Sequence, residues 1–193
     1  MTETRDEIEL KARVEDPDAL RRSLLAAGAQ LVYRGAMLDR RFDRKGRLEA
    51  RDEVVRLRVF RPADGSPAWG VLGWKGPAGT RGGYRHREEW ETRADDPKAT
   101  LVVLRRLGYK IVRRVDRAVE QYRFGSATLR LEWYPAMDVL IEVEGEPEAI
   151  ERAVAITGLP RDAFLPESLP YFTAAYEKRM GRPARTAHAV RRT

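Results

Sequence analysis

Over much of the chain, apolar and charged residues alternate with a period of two. Ile8 and Leu10 lie between Glu7, Glu9 and Lys11. Val55, Leu57 and Val59 interleave with Arg56 and Arg58. Leu129, Leu131 and Trp133 interleave with Arg130 and Glu132, and Ile141 and Val143 with Glu142 and Glu144. Arg85, Arg87, Glu89 and Glu91 recur on one face of a further segment, with His86 and Trp90 on the other. Successive strand residues point to opposite faces, so each segment predicts a strand with one charged side. Strands are predicted over 54–60, 68–75, 84–92, 119–124, 127–133 and 139–144. Turns are expected at 62–67 and at Gly125-Ser126.

A longer period marks the helices. Asp16-Pro17, Asp96-Pro97 and Glu146-Pro147 each place an acid before a proline suited to a first helical turn. Leu20, Leu24 and Ala27 follow the first; Leu101, Leu104 and Leu107 the second; Ile150, Val154 and Ile156 the third. Gly28, Gly108 and Gly158 stand where the helices should stop. A fourth helix is predicted from about 169 to 180.

The first two helices belong to a repeat with an offset of 80 residues. Glu9 aligns with Glu89, Pro17 with Pro97, Leu24 with Leu104, Gly28 with Gly108, Val32 with Val112, and Phe42 with Tyr122. One strand–helix–strand–strand unit is used twice, for about eight strands and four helices in all. No linker divides the chain, so residues 1–180 read as one domain of the 193.

Residues 181–193 carry Arg182, Arg185, Arg191 and Arg192 without an acid or an apolar period, and read as a basic disordered tail. The tail accounts for more than half of the +7 net charge, so global charge is poor evidence for nucleic-acid binding. With no cysteine, disulfides, thiolate metal sites and thiol catalysis are excluded. The two histidines, His86 and His188, are far apart, which argues against a serine–histidine–aspartate triad. No apolar run reaches ~20 residues, and the expected setting is the cytoplasm, away from membrane.

A solvated sheet face with cross-strand ion pairs would explain any one charged strand. Recurrence in at least five strands, each with an apolar opposite face, favours another arrangement. If helices cover the apolar faces, the charged faces turn toward each other. The sheet then closes into a barrel with a charged lumen. Its bases would be Lys11, Arg56, Arg58, Lys75, Arg85, Arg87, Arg117 and Arg130. Its acids would be Glu7, Glu9, Glu89, Glu91, Glu132, Glu142 and Glu144. Buried charge at this density must pair or bind something. Carboxylates favour Mg²⁺ or Mn²⁺, and clustered arginines favour phosphate oxygens. Together they suggest a triphosphate. Trp69, Trp74, Trp90 and His86 are expected to be packing or surface residues, Trp90 beneath a helix. Gly76, Gly79, Gly82 and Gly83 form no phosphate loop and are expected in a mobile loop at the mouth.

Glu7-Ile8-Glu9-Leu10-Lys11 resembles the ExExK signature of the CYTH superfamily, the triphosphate tunnel metalloenzymes. Asp39-Arg40-Arg41-Phe42-Asp43 is similar to that family's D-x-Y-F-D segment, with Arg41 where an aromatic is common. Arg56-Leu57-Arg58 resembles its R-x-R, Trp74-Lys75-Gly76-Pro77 its strand-end lysine, and the segment from Arg85 to Glu91 its K-x-R-x-E-x-E strand. Glu132, Glu142 and Glu144 match its late acids in spacing, while Val119 replaces a frequent base.

The resemblance implies an α+β fold: an eight-stranded antiparallel β-barrel tunnel with flanking helices, in two similar halves. It implies Mg²⁺ or Mn²⁺ held by Glu7, Glu9, Glu89, Glu132, Glu142 and Glu144. Phosphates would be gripped by Lys11, Arg56, Arg58, Lys75, Arg85, Arg87, Arg117 and Arg130, with Lys11, Glu9 and Glu142 catalytic. The leading activity is hydrolysis of tripolyphosphate, ATP or thiamine triphosphate. A class IV-type adenylate cyclase and a non-catalytic polyphosphate or nucleotide binder are the alternatives. A homodimer is left open.

Overall fold

The computed structural model describes residues 5–188. Nine strands and four α-helices follow in the order β1 (Arg5–Val14), α1 (Pro17–Ala26), β2 (Gln30–Asp43), β3 (Val54–Pro62), β4 (Trp69–Lys75), β5 (Gly79–Arg81), β6 (Tyr84–Ala94), α2 (Pro97–Arg106), β7 (Lys110–Phe124), β8 (Ala127–Trp133), β9 (Val139–Glu144), α3 (Pro147–Ala155) and α4 (Leu169–Met180).

The helix starts behave as their sequences require. Asp16 accepts hydrogen bonds from the Asp18 and Ala19 amides at 3.0 and 2.9 Å. Asp96 accepts from Lys98 and Ala99, both at 2.9 Å. Each cap satisfies amides that have no partner within the helix, and each contributes about 1 kcal/mol. Gly28 and Gly108 both adopt φ +87°, a left-handed conformation that stops the helix where a side chain would be strained.

All strand pairs are antiparallel, and around the barrel they run β1-β9-β8-β7-β2-β3-β4-β6. Pairing of β6 with β1 closes the ring, with Glu7 opposite Arg87 and Glu9 opposite Arg85. This is the expected eight-stranded barrel. β5 adds a ninth, three-residue strand that pairs with the start of β6, Gly79 opposite His86. The glycine-rich segment is therefore a short hairpin and not a loop, because Gly82 and Gly83, both at positive φ, turn the chain back onto β6.

The two halves, β1-α1-β2-β3-β4 and β6-α2-β7-β8-β9, exchange strands. β1 of the first half pairs with β9 of the second, and β6 of the second pairs with β4 of the first.

Helices cover the outside. α1 and α3 bury Leu20, Leu24, Ile150 and Val154 against Leu10, Leu129, Leu131, Ile141 and Val143. α2 packs Leu104 near Phe42 and Leu57. Full burial of each such side chain contributes ~1.5–3 kcal/mol. Trp90 is not under a helix: α2 lies on β3 and β4, leaving Trp90 36% exposed with its indole N–H on Glu88 at 2.8 Å. The described part of the tail is ordered against the barrel. Arg185 and Ala136 exchange backbone hydrogen bonds of 2.8 and 3.0 Å, and the Asp116 amide donates to the Thr186 carbonyl at 2.7 Å. Residues 189–193 of the expected tail lie outside the described residues.

Candidate functional site

The barrel interior is charged across its middle. Glu7, Glu9, Lys11, Asp39, Arg56, Arg58, Lys75, Arg87, Arg117, Arg130, Glu132 and Glu142 are all buried. Most of them line one cavity, together with Arg41, Arg85, Tyr134 and Ser168. The closed antiparallel register explains the convergence. Alternate residues face inward on every strand, so eight strands deliver their polar faces to one axis.

One end of the interior is apolar instead. Met37, Phe60 and Val119 are buried there with Tyr33, Trp69 and Val71 packed against them. Phe60 stacks on Trp69 at 4.1 Å and meets Tyr33 edge-on at 5.2 Å. Val119, which stands where a base is frequent in the resembling family, belongs to this cluster.

The charges pair across the lumen. The Lys11 ammonium sits between Glu9 and Glu142, at 2.6 and 2.7 Å. Arg85 also reaches Glu9, at 2.6 Å. Arg117 bridges Glu132 at 2.8 Å and Asp39 at 2.9 Å, and Arg58 approaches Asp39 at 3.4 Å. Lys75 pairs with Glu7 and, at 3.2 Å, with Glu89. Arg56 reaches Glu89 at 2.8 Å and Glu91 at 3.1 Å. Arg130 pairs with Glu142 and lies 3.7 Å from Glu144. Arg87 donates to the Gly76 and Asp52 carbonyls. With these contacts made, the free cavity volume is about 70 Å³, room for about two waters at ~30 Å³ each. A larger occupant would need side chains to exchange partners to make room for it.

Ionisation follows the pairing. Burial opposes charge on Glu7, but Lys75 and Arg56 bring it down to about 2. Burial likewise opposes charge on Glu142, yet Lys11 and Arg130 hold it well below the usual carboxylate range. Glu89 goes the other way. Its burial, reinforced by Glu7 and Glu91, outweighs Arg56 and Lys75 and pushes it up to about 7.

The lumen therefore gathers the expected bases and Glu7, Glu9, Glu89, Glu132 and Glu142. Glu91 and Glu144 are set apart at a more open position, with side chains 36% and 35% exposed. Asp39, Arg41 and Tyr134 were not among the residues given a role from sequence. Tyr134 donates to Glu132 and extends its inward face by one step beyond β8. Hard oxygen donors of this kind suit Mg²⁺ or Mn²⁺, and Glu9 and Glu142 already share one cation, the Lys11 ammonium. Among the described residues, however, no three acidic or histidine side chains gather in a metal-binding arrangement, because each lumen carboxylate faces a base.

The chain matches the CYTH domain family model over residues 5–159. No curated protein matches it closely enough to count as a relative. A candidate adenylate cyclase from Vibrio parahaemolyticus has a similar structure, with a TM-score of 0.72 at 18% identity over 89% of this chain and 99% of that one. A protein from Pyrococcus horikoshii OT3 superposes with a TM-score of 0.68 at 23% identity over 91% and 99%. A candidate adenylyl cyclase from Hippeastrum, described as having a dominant triphosphatase activity, gives 0.59 at 20% identity over 96% and 92%. At these identities the likeness is one of fold.

Proposed function

Because this chain belongs to the CYTH domain family, we propose that it is a divalent-metal-dependent hydrolase of a triphosphate bound inside the barrel. One observation carries the reading. The lumen holds a ring of buried bases whose carboxylate partners a phosphate chain could replace, and Glu9 and Glu142 converge beside Lys11.

Arg56, Arg58, Arg117 and Arg130 would grip non-bridging phosphate oxygens through their planar N–H forks, with Lys75, Arg85 and Arg87 adding charge along the chain. Lys11 would neutralise charge gathering on the phosphoryl group as it is attacked. Glu7, Glu9, Glu89, Glu132, Glu142 and Glu144 are the candidate metal ligands. A bound Mg²⁺ or Mn²⁺ would supply Lewis-acid neutralisation and a water of lowered pKa. Water adds to the terminal phosphorus, the bond to the bridging oxygen breaks, and orthophosphate leaves with a chain one phosphate shorter. One of the lumen carboxylates takes the water's proton.

The cyclase reading needs a surface for adenine. Trp69 is already stacked on Phe60, and Trp90 lies on the outer face, which favours hydrolysis. The test is a product assay on tripolyphosphate and on ATP with Mg²⁺ or Mn²⁺, beside Glu9→Gln and Glu142→Gln. Orthophosphate from tripolyphosphate, reduced at least ~10²-fold in both variants while they stay folded, is expected. Cyclic AMP and pyrophosphate from ATP would replace the proposal with the cyclase. Metal-dependent binding without either product would replace it with a binding module.

A further inference from the structure

Three arginines lie in one cross-strand row. Arg41 of β2 is directly opposite Arg113 of β7 on one side and directly opposite Arg56 of β3 on the other. Neighbours in such a row have Cβ atoms roughly 4.5–5.5 Å apart, and like charges there repel. All three share the inward parity of their strands, with Arg113 continuing the face of Val115 and Arg117. Arg56 is answered by Glu89 and Glu91. Among the described residues, the side chains of Arg41 and Arg113 have neither an ion pair nor a hydrogen bond. The Nε atoms of Arg41 and Arg56 are buried without a partner. Every other base of the cavity lining has an acidic partner, so this row is where positive charge stands uncompensated.

Its place along the barrel is defined. Arg41 is four residues along β2 from Met37, and Arg56 four along β3 from Phe60, about 13 Å from the apolar cluster. The row lies toward the end where Val54, Ser168 and Leu169 complete the lining.

We propose that Arg41 and Arg113 form an anion subsite at this end of the lumen. It takes a fourth phosphoryl group and so favours linear phosphate chains longer than three. The inference rests on the triphosphate reading of the neighbouring bases and adds a chain-length preference to it. Two guanidinium groups facing each other are stabilised when an anion lies between them, and the planar forks suit phosphate oxygens. Burial, with Arg113 and Arg56 close by, lowers Arg41 to about 10 and outweighs Asp39, which is two residues along β2 and already engaged by Arg117 and Arg58.

The experiment is calorimetric binding of tripolyphosphate and tetrapolyphosphate to the full chain, repeated with Arg41→Tyr, Arg113→Gln and Arg114→Gln. Arg114 is the outward-facing, exposed neighbour and controls for general charge. Wild type and Arg114→Gln should bind tetrapolyphosphate about tenfold or more tightly than tripolyphosphate. In Arg41→Tyr and Arg113→Gln the ratio should fall toward one. The ligand-free variants should unfold at the same or higher urea concentration than wild type, because a repulsion has been removed. A wild-type ratio near one overturns the subsite, and so does a ratio that survives in both inward variants or falls equally in Arg114→Gln. Loss of tripolyphosphate binding alone, with Arg41-dependent tetrapolyphosphate binding retained, overturns the triphosphate reading and leaves the subsite standing.

Discussion

Glu89→Gln tests the electrostatics of the lumen through stability alone. The Glu89 side chain is 10% exposed, with Arg56 at 2.8 Å and Lys75 at 3.2 Å. Burial and the neighbouring Glu7 and Glu91 nevertheless raise its carboxyl from the ordinary 4.5 to about 7. Between those values the folded chain keeps a proton that the unfolded chain has released. Stability therefore falls as pH rises through the window, and is fully present below the unfolded value. A gap of about 2.5 pH units at ~1.36 kcal/mol each sets a ceiling of roughly 3 kcal/mol. Glutamine keeps the shape and never ionises, so the variant lacks this slope. The assay is urea unfolding of both proteins at pH 5, 6, 7 and 8, read as the difference between them. That difference cancels other groups that titrate in common. The expected result is that wild type loses roughly 2–3 kcal/mol more than the variant between pH 5 and 8. Parallel profiles would refute the reasoning. A wild type that gains on the variant as pH rises would show that Arg56 and Lys75 win over burial.

Three further outcomes are expected. Asp16→Ala and Asp96→Ala should each cost about 1 kcal/mol in urea unfolding and add in the double variant, since the two caps are equivalent and separate. Phe60→Ala should cost about 3–5 kcal/mol, because it empties the centre of the stacked cluster at the apolar end of the lumen. Asp39→Ala should cost a similar ~3–5 kcal/mol, by leaving Arg58 and Arg117 short of a buried counter-charge. Asp39 is held far below its ordinary value of 3.8, burial notwithstanding, by Arg117 and Arg58. Its contribution is thus present above that value and should be lost as wild type is taken to lower pH, a loss absent from Asp39→Ala.

Strand parity was enough to place the inner faces of β1, β3, β6, β8 and β9, because each alternates apolar with charged residues. The Asp-Pro and Glu-Pro starts located three helices, and the offset of 80 anticipated two halves of equal plan. β2 and β7 were less legible. Arg40-Arg41 and Asp116-Arg117 put charge on both faces, since their outer faces also carry an ion pair, Arg40 to Asp116 at 2.5 Å. Alternation is then erased, and with it the signal for Asp39 and Arg41. Trp90 was misplaced because parity gives a residue's face but not whether a helix reaches it. Residues 181–188 dock partly through backbone groups of Ala136 and Asp116, which leave no trace in side-chain pattern, and partly through Tyr176, Glu177 and the Asp116 carboxylate, whose partners carry no apolar period.

The strand exchange between halves has a consequence for how the chain is made. β1 is synthesised before the other described strands, yet Glu9 finds its partner Glu144 only after on the order of a hundred further residues have been synthesised. Until then the Glu9–Val14 half of β1 is an open edge, since β6 covers only the half from Arg5 to Glu9, and such edges invite wrong association. Its alternating Glu7, Glu9 and Lys11 oppose that during the wait, because a charged face pairs poorly with another nascent chain. The side chains that fill the finished lumen thus serve first as gatekeepers of an open sheet. Barrel closure by β9 is the step at which the nascent protein should pass from protease-sensitive to protected.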